Sequence, residues 1–421
     1  MEWNRRNIIG AIMILVLGFG SGAVIYSDQE GGVGFALFRL DKWADGLYGG
    51  TSSMTTEEER FAKRESERIR KTILVKIPSL RLEAKEVAPE QNGYLALYEL
   101  TKDPDFKDLR SSGIIDQVSE EKIDPTVIRK DLIAFDAIGK EIERIAALTD
   151  RSNIINGKLH TEFLPAGEIK AMGDYLVLQA RLAAQEGDEA ESFRYLSLAV
   201  NLSEHLGSLE SPYLLSETVY ILLRLNVRSV FFKSIMPTLD RSTDLVKWQS
   251  ILEPRTHVPQ RFSVLVKGEF STFTEVYMPI LFEEVPDPEA MSMALAKYND
   301  ANAKRYEAMN FQQFSGAKVL PHEPFTKHIS REGVGLFDIM FFGDDSWTRG
   351  AIRSVVVEHH YAAALDLLIR EQKGEDISKL TETFLLNPQT LKPFVYDATT
   401  RTLDKVAVGT SGDIEALKLP W

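Results

Sequence analysis

The chain has no cysteine among its 421 residues. That absence excludes disulfides, thiolate metal sites and cysteine nucleophiles. Signatures of nucleotide chemistry are missing as well. Gly139-Lys140 and Gly157-Lys158 lack the upstream glycine and the following Ser or Thr of a phosphate loop. Gly32-Val33-Gly34 lacks the third glycine and the preceding strand of a dinucleotide fingerprint, and no Gly-x-Ser-x-Gly elbow occurs. Positive charge is in deficit, with 49 basic against 62 acidic residues and a net charge of −13. A surface so acidic repels phosphate, so no nucleic-acid partner is expected. Hydrophobic residues at 44% and charged residues at 26% are ordinary globular values. This length corresponds to one large or two to three smaller domains, and it can bury a core without disulfide or metal staples.

The one long hydrophobic run is Ile8 to Tyr26, nineteen residues without a charge. As a helix it would span roughly 28 Å, close to the hydrocarbon thickness of a bilayer. Arg5 and Arg6 precede it, and Asp28 and Glu30 follow. The positive flank stays cytoplasmic, so this pattern predicts a single-pass anchor with the main domain outside the cytoplasm, in the periplasm of a two-membrane cell. A cleaved signal peptide is the rival reading, since Gly20, Ser21, Gly22 and Ala23 imitate a cleavage region. The apolar run continues through Val24, Ile25 and Tyr26, which favours the anchor.

Four segments follow from composition: 1–27, a cytoplasmic stub and anchor; 28–89, a juxtamembrane linker with a charged helix; 90–314, a helical domain; and 315–421, a packed loop, a long helix and a hairpin. Within 28–53, Val33 to Tyr48 carries four aromatics and suits either a membrane-interface helix or a segment packed on the domain. Ser53 should cap a helix over 54–72, with Glu57 to Glu59 in its first turn and Arg68, Arg70 and Lys71 in its last. Its few apolar positions predict a solvated spacer or a partner-facing stalk. Asp124-Pro125 should open a helix reaching 149, with Val127, Leu132, Ile133, Ile138, Ile142 and Ile145 on its buried face. Helices are expected at Ala166–Glu186, from Gly187-Asp188 to Leu206, from Ser211-Pro212 to about Pro237, at Val258–Ile280 and at Pro288–Phe314, the last capped by Asp287. Residues 315–346 read as an irregular stretch, either a loop packed across the core or a functional flap, and its phenylalanines favour the packed loop. Arg349–Lys373 reads as a helix closed by Gly374, and the runs 394–396 and 403–408 as a hairpin. The expected fold is mainly α: antiparallel helix pairs, as a bundle or short α-solenoid, with a small C-terminal hairpin, preceded by one transmembrane helix.

Two stretches carry resemblances. Gly173 to Leu206, with small Ala180, Ala183, Ala190 and Ala199, resembles one helix pair of a tetratricopeptide-like (TPR-like) array. Arg353 to Gly409 resembles the C-terminal layout of pseudopilin-like bacterial proteins, where Asp-Pro-x-Thr/Gly-x-Pro-hydrophobic-x-Tyr follows a helix and leads into a hairpin. Here Asn387 stands for the Asp and Leu391 for the Gly. Both departures count against a calcium-binding or pilus-assembling segment. The order of anchor, helical middle and pseudopilin-like tail is similar to that of uncharacterised single-anchor bacterial envelope proteins.

No residue pattern identifies a reaction, a cofactor or a metal. His322-Glu323 is followed by His328 with Pro324 between, whereas zincins need two His four apart on one helix. Glu358-His359-His360 is the most notable polar cluster. Adjacent histidines on a helix diverge by about 100°, so packing histidines with one hydrogen bond each are expected. Asp344-Asp345 lacks the alternating oxygens of a calcium loop and reads as a solvated loop. The function these features imply is a non-enzymatic scaffold or protein-interaction role in the cell envelope, with a protein partner. A hydrolase with a site assembled from distant residues and a component of a pilus-like or secretion assembly are the alternatives.

Overall fold

A computed structural model describes residues 56–420, apart from 84, 86, 121, 156–157, 161–164, 283–286, 319, 322, 327–343, 378–385 and 409–412. The apolar run Ile8–Tyr26, the aromatic stretch 33–48, Ser53, His322, His328 and most of the 315–346 stretch lie outside these residues. Among the described residues, no helix is long and apolar enough to cross a membrane.

The fold is mainly helical with a small C-terminal region of antiparallel strands. In chain order come α1 (Thr56–Lys76), α2 (Gly93–Leu100), α3 (Pro104–Ser111), α4 (Pro125–Leu132) and α5 (Asp136–Ala146). A two-stranded ribbon, β1 (Ile154–Ile155) and β2 (Lys158–Leu159), leads to α6 (Ala166–Gln185), α7 (Glu189–Gly207) and α8 (Leu214–Val230). Then follow α9 (Gln249–Leu252), α10 (Val258–Thr272), α11 (Met278–Leu281), α12 (Pro288–Glu307), α13 (Phe311–Ser315), α14 (Glu323–Thr326) and α15 (Asp344–Gln372).

Helix ends follow local chemistry. Asp124 accepts from the Thr126 and Val127 amides ahead of Pro125, Asp188 from Glu191, and Asp287 from Ala290. Gly187 and Gly374 take φ of +80° and +77°, the left-handed turn that ends α6 and α15. One expected helix is broken. Residues 125–146 form α4 and α5 with a 3-10 turn at Ile133–Phe135 between them. The turn rotates the apolar pattern, so Val127 is 54% exposed and Ile133 74%, while Ile138, Ile142 and Ile145 stay buried. The 211–237 helix starts at Leu214 instead, capped by Tyr213 and Ser216, and ends in a π turn at Phe231–Ile235. Asp344 opens α15, so the Asp344-Asp345 pair begins a helix and is not a loop.

The packing has two apolar cores. The main one joins α2–α10, α15, Tyr306 of α12, Phe314 of α13 and the strand region around Leu176, Leu202, Phe231, Trp248 and Leu367. Burial of each such side chain contributes about 1.5–3 kcal/mol. In the α6–α7 pair, Ala180, Ala183 and Ala199 are buried as expected, but Ala190 is exposed. The second core holds Phe270, Phe273, Met278, Met291, Leu295 and Tyr298 together with Ile69 and Ile73 of α1. The charged N-terminal helix is therefore not a solvated stalk. Ala62, Ser66, Ile69 and Ile73 form a narrow buried stripe, and Arg70 pairs with Glu275 at 2.7 Å.

At the C-terminus, β3 (Tyr396–Asp397) pairs with β4 (Thr402–Leu403), the expected hairpin. Next come β5 (Val406–Ala407), β6 (Asp413–Ile414) and β7 (Leu417–Lys418). β7 adds to β4, and β5 pairs with β6. In the preceding turn, Asn387 Oδ1 accepts from the Gln389 and Thr390 amides. Leu391, standing where the pseudopilin-like pattern has glycine, takes φ of +56°. Glycine meets that conformation without strain, whereas leucine does not.

Candidate functional site

Helix α8 carries Glu217, Tyr220, Arg224 and Arg228, spaced so that they fall along one side of the helix. In a helix otherwise rich in Leu, Val and Ile, that stripe should face water. It faces inward. Arg228 is fully buried, Glu217 is 2% exposed and Arg224 7%. Burying a charge is costly unless it is paired, so the question is what pairs them.

Glu358 of α15 is the centre. Its side chain is 0% exposed. Arg255 donates to it from its backbone N–H at 2.9 Å and from Nε at 3.0 and 3.1 Å, and reaches Ser354 Oγ with Nη2 at 2.6 Å. Arg224 and Arg228 stand 3.9 and 4.0 Å from Glu358 Oε1. Both also donate to the Glu253 carbonyl, at 2.8 and 2.7 Å, and Arg228 donates to the Arg224 carbonyl at 3.0 Å. Arg224 and the Tyr220 hydroxyl converge on Glu204 of α7 at 3.0 and 3.2 Å. Arg261 binds Glu217 at 3.0 Å and the Leu209 carbonyl at 2.7 Å.

The electrostatics follow from this crowding. Burial alone would raise the Glu358 carboxyl, but Arg255, Arg228 and Arg224 outweigh it and bring the pKa down to about 2. Burial brings Arg228 down to about 10, still protonated at neutral pH. Burial also raises the Tyr220 phenol. Each charged group has its partner inside the protein, and the guanidinium forks hold backbone carbonyls. This arrangement clamps α15 and the 253–261 segment onto α8, leaving its central carboxylate closed to solvent.

The two neighbouring histidines are packing groups, as expected. His359 Nδ1 lies 2.9 Å from the Val355 carbonyl, and His360 Nε2 lies 3.1 Å from the Asp404 carbonyl, tying the strand region to α15. Burial lowers both, His360 to about 4, so both are neutral at pH 7. His205 is also buried and held to about 4, with Nε2 2.8 Å from the Ile145 carbonyl. His160 packs edge-on against Tyr98, ring centres 4.6 Å apart.

Among the described residues, no three His, Cys, Asp or Glu side chains gather to hold a metal. A shallow recess of about 260 Å³ opens between α3 and α4, lined by Ser112, Ile114, Gln117, Asp124, Val127 and Asp131. Sequence reasoning singled out Glu358 only as a neighbour of two histidines and missed the arginines. The available signal was the run of charges on one side of α8, but their partners lie far away in the chain. No known protein family, curated protein or solved structure matches this chain.

Proposed function

We propose that the protein is a membrane-anchored, extracytoplasmic helical protein that engages another protein in the cell envelope. The observation that carries the location is the uncharged run Ile8–Tyr26 with Arg5 and Arg6 ahead of it. Glu358 and its arginines are taken up in holding α8, α15 and the 253–261 segment together, so a partner role falls to the exposed surface. The contact face is the recess between α3 and α4. Exposed Val127 lines it, Ile133 follows Asp131 closely, and the carboxylates of Asp124 and Asp131 lie beside them. An apolar side chain flanked by lysine or arginine on the partner complements that face.

Two measurements test this reading. A phosphatase that works only outside the cytoplasm, fused after Trp421, should be active, and a fluorescent protein that matures only inside should stay dark. Crosslinking in intact cells should capture a specific partner that V127D/I133D loses while keeping its melting temperature. The opposite reporter pattern removes the location, and a partner retained by the double variant removes the contact face.

A further inference from the structure

The 386–395 turn presents apolar side chains to solvent from a fixed base. Phe394 anchors it, 5% exposed, with its ring centre 5.3 Å from that of His360. Leu386 bridges Pro393, the Asn387 N–H donates to the Lys392 carbonyl at 2.9 Å, and the Leu391 N–H donates to the Asn387 carbonyl at 2.8 Å. Around this closed turn Leu386, Leu391 and Val395 are 42%, 54% and 63% exposed. Leu391 carries the left-handed strain that glycine would avoid, yet its side chain belongs to neither apolar core. Strain kept at an exposed position points to a use for the side chain it displays. Lys392 beside it is the only charged residue from 386 to 396, and it has no ion pair among the described residues.

We propose that this turn is a knob that seats in the α3–α4 recess of a second copy of the chain. The inference rests on the reading of that recess as a contact face, and it names the occupant. The recess holds about 260 Å³, room for one branched aliphatic side chain, and its lining combines Ile114, Val127 and Ile128 with the carboxylates of Asp124 and Asp131. Asp131 is exposed and has no cation partner among the described residues. Leu391 supplies the apolar group, and Lys392 the cation, that such a pocket selects. Two chains with a net charge of −13 repel each other. A local pairing of opposite sign, acting within the roughly 8 Å that salt leaves unscreened, is what lets them meet. Leu391 and Val127 are both exposed within one copy, so neither surface fills the other there. Knob and recess are different patches, so each copy can give and receive, and the contacts run head to tail. One turn buries little area, so the contact is weak in dilute solution and gains strength where copies are held side by side.

The absence of cysteine from the chain allows a direct test. Two differently tagged full-length chains, one with Thr390→Cys and one with Gln117→Cys, are mixed in mild detergent and treated with a short bismaleimide. Gln117 lines the recess and Thr390 precedes the knob, so Leu391, Lys392, Val127 and Asp131 all stay intact. The two variants should couple to each other, and each alone should give only background. Lys392→Glu in the first chain, or Asp131→Lys in the second, should cut the yield at least about tenfold, and combining them should restore it. Leu391→Gly should abolish coupling and leave the melting temperature in place, because relief of the left-handed strain offsets the extra freedom of glycine when unfolded. No product above the single-variant controls overturns the proposal. So does product that survives Leu391→Gly, or a charge swap that fails to restore the yield. If these chains stay uncoupled while V127D/I133D loses a different protein, the recess keeps its role and the second copy is ruled out as its occupant.

Discussion

Glu358 has four groups arranged around it: the Arg255 backbone and three guanidinium groups. Removing its charge leaves those cations buried without their shared counter-ion. Glu358→Gln should destabilise by about 3–5 kcal/mol, the usual result when one partner of a buried ion pair is lost. Urea unfolding followed by circular dichroism measures it, and a loss below about 1 kcal/mol would mean that the Glu253, Glu204 and Glu217 contacts suffice on their own. The sequence hides this residue for a physical reason. Glu358 sits in a helix beside two histidines, and nothing local distinguishes a carboxylate facing water from one facing two arginines on another helix and a third on the connection before α10.

Element boundaries were legible wherever a short-range rule sets them. Asp124-Pro125, Gly187-Asp188, Asp287-Pro288 and Gly374 each act through their own backbone, and each marks an observed helix end. Element faces were less legible. The break at Ile133–Phe135 carries no glycine or proline, and it turned two apolar residues outward. Helix α1 was misread because its charges outnumber its apolar residues, although only a stripe of four needs to be buried. Burial of Ile73 at 1% exposure gives the packed reading its test. Ile73→Ala should lower stability by about 2–5 kcal/mol, as for a core isoleucine, whereas on a solvated stalk the change would be within about 0.5 kcal/mol. Thermal melts of the full chain separate these outcomes.

For the whole molecule, three buried groups of the main core set the acid limit. His205 and His360 titrate near 4 when folded and near 6.5 when free, so the unfolded chain binds more protons in that interval. Stability is complete above 6.5 and falls as pH drops through 4. Glu358 adds its own loss from the usual Glu range down to about 2. The unfolding free energy from urea titration should therefore fall between pH 6.5 and 4, by roughly 2–3 kcal/mol for each histidine. His205→Gln/His360→Gln should flatten that limb, and an unchanged slope would place the acid sensitivity elsewhere. The fold class was legible because helical periodicity and turn chemistry are local. The division into two cores was not, because it depends on which faces meet.

The order of synthesis gives the Glu358 clamp another consequence. A ribosome makes Arg224, Arg228 and Arg255 well before the carboxylate that neutralises them together. Until α15 emerges, closing the inward side of α8 leaves Arg228 without a carboxylate partner and Arg224 with Glu204 alone. Such a late-arriving counter-ion ties the sealing of this side of α8 to the last long helix of the polypeptide.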